Sequence, residues 1–155
     1  MNILENIEHT ILKRLAMSDR GQSLVELALT LPLLMLVLLG VLDLGRLFLG
    51  YVTVANASRE GARYGMTNSA DCVSNGCANI KGQAVNEAGG LITTANVTVE
   101  CASFSNPTNY GACSSPQPGD RIRVTVQYNF KFETLYLFGF ANMTLSDKTI
   151  MAIVK

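Results

Sequence analysis

Gly21, Gln22 and Glu26 are the residues whose types and spacing could take part in chemistry, and that chemistry is the cutting of a peptide bond. The stretch Arg20-Gly21-Gln22-Ser23-Leu24-Val25-Glu26 runs directly into LALTLPLLMLVLLGVL, which ends at Leu42. A secretory signal peptide is cut beyond its apolar segment, beside small residues. Here the small residue comes before the apolar segment, so a cut after Gly21 leaves the hydrophobic helix on the mature chain. Glycine at that position gives a protease close access to the backbone, because no side chain stands in the way. The protease itself would be a separate protein. After the cut, Gln22 becomes the N-terminus and Glu26 the fifth residue, about 6 Å further along a helix axis.

The second set of reactive side chains is Cys72, Cys77, Cys101 and Cys113, all beyond the apolar segment. An even number of cysteines in a small exported domain points to two disulfides, with three pairings open. Cys72–Cys77 and Cys101–Cys113 close short loops and are favoured, but sequence alone does not decide the pairing, and buried free thiols are the alternative. Metal ligation is the weaker expectation: no C-x-x-C is present, and the one histidine, His9, precedes the apolar segment. No paired-carboxylate or nucleophile–base motif stands out, so no catalytic residue, metal or cofactor is expected and the chain does not read as an enzyme. Lys and Arg total 12 against 12 for Asp and Glu, which gives no basic excess for a nucleic-acid partner.

These residues need elements to position them. With 155 residues the chain has room for one modest domain and one membrane helix. Residues 1–20 place Ile3, Ile7, Ile11 and Leu15 on one helical stripe, as in an interfacial leader helix or a leader that no partner reads. Leu24 to Leu42 is a run of 19 residues, close to the roughly 20 that cross a bilayer core. Pro32 lies inside it and is expected to kink or loosen the helix. Asp43 and Arg46 end the apolar run, yet Leu47, Tyr51, Val54 and Ala55 continue a stripe, so the helix is expected to extend from Gln22 to Gly65. Gly40, Gly45 and Gly50 do not share one face and read as joints or tolerated positions.

Gly65 to Gly76 is turn-rich, and Ala78 to Ala88 reads as a short helix stopped by Gly89-Gly90. Strands are expected over Ala95–Cys101, Asp120–Phe130 and Met143–Val154. The middle one is clearest: Ile122, Val124, Val126, Tyr128 and Phe130 alternate with polar residues. Met143, Leu145, Met151 and Ile153 share one parity on the last strand. Three strands cannot hide their apolar face alone, so the second half of the long helix is their natural cover. Leu135 to Phe140 is unusually apolar for a connection; it either folds over the sheet or docks on a partner or membrane surface. The fold class is therefore α+β: a long N-terminal transmembrane helix on a small antiparallel sheet of about three strands, with disulfides.

Charge does not orient the chain, because Lys13, Arg14 and Arg20 on one side are matched by Arg46, Arg59 and Arg63 on the other. Cysteine placement favours a cytoplasmic N-terminus and an extracytoplasmic C-terminal domain. The expected division is a leader over 1–21, the long helix over 22–65 (transmembrane about 24–42) and an α+β domain over 66–155.

RGQSLVELALTLPLLMLVLLGVLDLGRLFLGY together with ASREGARYG resembles the TadE-like pseudopilins of bacterial tight-adherence (Tad) pilus systems. The resemblance is close from Arg20 to Gly65 and looser over RIRVTVQYNF and MTLSDKTIMAIVK. It implies a minor pilin in the inner membrane, cut after Gly21 by a prepilin peptidase and helping to initiate or assemble a pilus used in surface adherence. It also implies other Tad pilins or pseudopilins, inner-membrane platform proteins and the lipid bilayer as partners. Glu26 in an apolar helix costs on the order of 2–3 kcal/mol or more at mid-bilayer. In such a family its role would be to neutralise the α-amine of Gln22 on a neighbouring subunit; the alternative is a carboxylate held at the lipid–water boundary in the first helical turns. An unprocessed signal-anchored envelope protein, acting as an assembly platform or sensor, is the competing function.

Overall fold

The computed structural model describes residues 19–154; the leader stripe Ile3, Ile7, Ile11 and Leu15 lies outside them. Among the described residues the α-helices and strands follow in the order α1 (Asp19–Thr67), α2 (Ala70–Asn75), α3 (Ala78–Glu87), β1 (Val97–Ala102), β2 (Arg121–Phe130) and β3 (Met143–Ala152). The chain divides into two units, Met1–Leu42 and Asp43–Lys155.

In the first unit the described residues are helical, and α1 passes through Pro32 without interruption. The apolar run is largely exposed there: Leu24, Leu29, Leu33 and Leu34 are each about two-thirds exposed or more (67, 72, 65 and 71%). A soluble core helix would be buried, and this one is long and apolar enough to cross a membrane with none of its most apolar window covered.

The second unit is built on an antiparallel sheet in the order β1-β2-β3. Its inner face follows from strand alternation: Ile122, Val124, Val126 and Phe130 are buried on β2. Their cross-strand partners include Cys101, Val99 and Val97 on β1 and Met151, Thr149, Asp147 and Met143 on β3. Residues 43–67 of α1 cover that face together with α3, burying Val54, Ala57, Ala62, Ile80 and Ala84. Gly61 lets the elements meet: a Cβ there would lie 3.1 Å from Val124 Cγ1 and 3.2 Å from Ala84 Cβ. At Gly65 a Cβ would come within 2.7 Å of Ile122 Cδ1.

Several expectations are refined. Residues 65–76 are not all turn, because Ala70–Asn75 forms one helical turn and a half. Its Asp71 accepts backbone N–H groups from Asn79 (2.9 Å) and Ile80 (3.3 Å), filling the first-turn donors of α3. The expected stop after α3 is present, with Gly89 and Gly90 at φ 58° and 87°, a left-handed region that glycine enters at little cost. Gly50 is no mere joint, since a Cβ there would touch Leu145 and Tyr128 at 3.4 and 3.6 Å. Met143 shares its parity with Leu145 but lies at the end of β3 and is 45% exposed. On the same face of β3, Asp147 and Thr149 interrupt the apolar alternation, and Ser58 of α1 meets both, at 2.5 Å to Asp147 Oδ2 and 2.8 Å to Thr149 Oγ1.

Candidate functional site

The N-terminal site starts where α1 is least covered. Gly21, Gln22 and Glu26 are exposed, and a Cβ at Gly21 would meet nothing within 4 Å. The Gly21–Gln22 bond lies in the first turn of α1, which begins at Asp19. Glu26 sits on the same helix among the exposed Leu24, Val25, Leu27 and Leu29, with the polar Gln22, Ser23 and Thr30 one turn away on its own face.

Beyond the apolar run, α1 presents two different faces. Small residues at Gly50, Val54, Ala57, Ser58, Gly61 and Gly65 line the side against the sheet. Leu44, Phe48, Tyr51 and Val52, at i, i+4, i+7 and i+8, form an exposed apolar stripe on the other side. The sheet-facing glycines are the signal that sequence reading passed over. Gly50, Gly61 and Gly65 lie 11 and 4 residues apart, about three turns and one turn of helix, and so share a face that the set Gly40, Gly45 and Gly50 does not.

Asp43 is the least expected member of the site. It ends the apolar run, yet it is only 2% exposed. Its Oδ2 accepts the Thr134 hydroxyl at 2.5 Å, the Thr134 N–H at 3.0 Å and the Leu135 N–H at 3.1 Å. Those bonds, the Thr134 hydroxyl first, outweigh burial and hold the carboxyl down at about 2, from an ordinary 3.8. The helical turn Leu135–Phe138 starts at these N–H groups, so Asp43 serves as its anchor from 91 residues away. Arg46 stands beside it, 3.5 Å from Asp43 Oδ1 and 2.9 Å from Glu133 Oε1, with its guanidinium over the Phe130 ring. Arg63 and Glu60 form the helix-surface pair at 2.6 Å.

The cysteines are joined as Cys72–Cys77 and Cys101–Cys113. The first straps α2 to the start of α3; the second ties the loop after β1 to its own strand, where Cys101 also exchanges backbone hydrogen bonds with Gly111. The Cys72, Cys77 and Cys113 sulfurs gather within 4.8 Å of one another, so the two bridges lie side by side. With the sulfurs bonded to each other, their lone pairs do not act as the thiolates a soft metal takes.

An uncovered apolar helix that continues into a helix packed on an antiparallel sheet, with disulfides in the sheet-bearing unit, fits the class of pilin-like proteins, and the helix is long and apolar enough to cross a membrane. Residues 21–63 match the family model described as TadE-like protein, so this segment of the chain is TadE-like, which suggests a pilin-like protein associated with the Tad pilus. The TadE-like family is one of structural pilus components and is not a known enzyme family. The match begins at Gly21 and ends at Arg63, before β1, β2 and β3. No curated protein and no solved structure matches the chain.

Proposed function

We propose that this chain is a minor pilin that a prepilin peptidase cuts after Gly21 and that helps to initiate or assemble a Tad-type pilus used in surface adherence. The single observation that carries the reading is the contrast along α1. Its residues 24–42 are apolar and uncovered, whereas residues 54–65 close against the sheet through small side chains. A helix built in this way is held by its own domain at one end and is free at the other to be covered by lipid or by other helices. The exposed stripe Leu44, Phe48, Tyr51 and Val52 prolongs the uncovered surface and suits helix-to-helix packing with other Tad pilins or pseudopilins.

In this reading residues 1–21 are a cytoplasmic leader, 22–65 the pilin helix and 66–155 the extracytoplasmic domain, with the chain in the inner membrane until assembly. The disulfides fit an oxidising compartment for the C-terminal domain. The peptidase, platform proteins of the inner membrane and the bilayer are the partners. Glu26 neutralises the Gln22 α-amine of an adjacent subunit, an attraction that a low-dielectric helix bundle strengthens.

The test is the N-terminal residue of the membrane-purified protein, by intact mass and peptide mapping, with and without the prepilin peptidase. A peptidase-dependent start at Gln22 supports the proposal. An intact Met1 in the presence of the peptidase would replace it with an unprocessed, signal-anchored envelope protein.

A further inference from the structure

The sheet descends along α1 in an ordered way. Ile122 faces Gly65, Val124 faces Gly61, Tyr128 faces Gly50, Phe130 lies under Arg46, and Thr134 is bonded to Asp43. The connection between β2 and β3 is therefore the end of the sheet at Asp43, the residue that follows the apolar run in the chain. Asp43 follows Leu42 by one helical residue, a rise of about 1.5 Å. The backbone N–H groups of Thr134 and Leu135 touch its carboxylate directly. At this tip Tyr136 and Phe140 are 66% and 53% exposed, although Phe140 leans on Phe132 with ring centroids 6.3 Å apart. Gly139, at φ 84°, reverses the chain between them. Lys131 is exposed at the same end.

We propose that this tip, carried by Tyr136 and Phe140, docks on the lipid headgroup layer of the bilayer that residues 24–42 cross. The inference rests on the reading of that run as a membrane span. The interfacial layer on each side of a hydrocarbon core is about 5–8 Å deep, half the difference between the core and the whole bilayer. A turn hydrogen-bonded to the first residue beyond the core falls within that depth. Aromatic rings with one apolar body and access to water are the side chains that favour this layer. The exposed Lys131 ammonium suits the phosphates of the same layer. Leu44 and Phe48, within the next turn and a half of α1 after Leu42, are also exposed apolar side chains. Asp43 is then a positioning residue: it fixes the tip at the depth where the rings meet lipid.

The chain contains no tryptophan, so single substitutions report individually. The full-length protein is reconstituted into phosphatidylcholine–phosphatidylglycerol vesicles carrying bromines either near the headgroup or near the bilayer centre. Tyr136→Trp and Phe140→Trp are compared with Leu34→Trp in the apolar run and with Val73→Trp, an exposed site on α2. The expected result is blue-shifted emission from positions 136 and 140, quenched most by headgroup-level bromines, with position 34 quenched by central bromines and position 73 unquenched. Red, unquenched emission at 136 and 140 with position 34 still quenched overturns the docking and leaves the span intact. An unquenched position 34 overturns the span and the docking with it. A blue shift at 140 that ignores bromine and grows with the protein-to-lipid ratio overturns the docking in favour of a second copy covering the tip.

Discussion

Asp43 and Thr134 lie 91 residues apart and are joined by two hydrogen bonds to one carboxylate oxygen, from the threonine hydroxyl and from its backbone N–H. Through this contact the first turn after the apolar run fixes the loop that joins β2 to β3. A charge that in sequence marks only the end of a hydrophobic segment becomes a buried tertiary anchor.

The acid stability of the tip follows from that anchor. The Asp43 carboxyl is held at about 2 against an ordinary 3.8, so the folded state favours the ionised form. Its contribution is fully present above about pH 4 and is lost as pH falls through about 2. Amide hydrogen exchange at Thr134 and Leu135 is expected to lose protection over that window. Thr134→Val removes the largest cause of the lowering, so the loss is expected to begin at higher pH, nearer the ordinary value. An unchanged exchange profile in the variant would show that the hydroxyl does not set the anchor.

Gly61 and Gly82 are both helical glycines and predict opposite outcomes. A side chain at Gly61 must displace Val124 and Ala84, which are packed at 3.1 and 3.2 Å from the added atom. Gly61→Val is expected to destabilise the second unit by about 1–3 kcal/mol. Gly82 lies within α3 with nothing within 4 Å of an added Cβ, so Gly82→Ala is expected to stabilise by about 0.5–1 kcal/mol. Denaturant unfolding of the two variants checks the pair, and equal effects of one sign would contradict the packing described above.

Removing the disulfides is expected to rank by loop length. Cys101 and Cys113 are 12 residues apart and Cys72 and Cys77 are 5 apart. Chain entropy gives about 3 kcal/mol for the longer loop and about 2 kcal/mol for the shorter. Cys101→Ser with Cys113→Ser should therefore lower the unfolding midpoint more than Cys72→Ser with Cys77→Ser. The reverse order would point to native-state packing of the adjacent bridges as the larger contribution.

Glu26→Ala is expected to leave the folded second unit unchanged and to reduce recovery of the protein in sheared pili, because position 26 lies in the other unit and touches none of the core. Normal incorporation of the variant would remove the pairing of Glu26 with a neighbouring N-terminus.

Much of the architecture was legible before any coordinates. An apolar run of 19 residues is too long for a strand, so length assigned the helix, and α1 differs from expectation only at its ends, Asp19 and Thr67. Strict alternation on β2 fixed its buried face, since side chains on a strand repeat every second residue. The short helix Ala70–Asn75 was not legible: six residues carry too little periodicity, and Asp71 draws its hydrogen bonds from Asn79 and Ile80, donors that only the folded turn brings to it.

By itself the sequence determined that one long helix would be apolar over residues 24–42, that three strands would need a cover, and that Gly21 and Glu26 stand at the head of the run, because these depend on residue type and short-range period. Tertiary structure alone decided which side of the helix meets the sheet, that Ser58 would satisfy Asp147 and Thr149, and that Asp43 would hold Thr134. Each of those pairs residues about 90 positions apart, and no local period encodes such a distance; the close approach that small residues at 50, 61 and 65 permit is what brings them together.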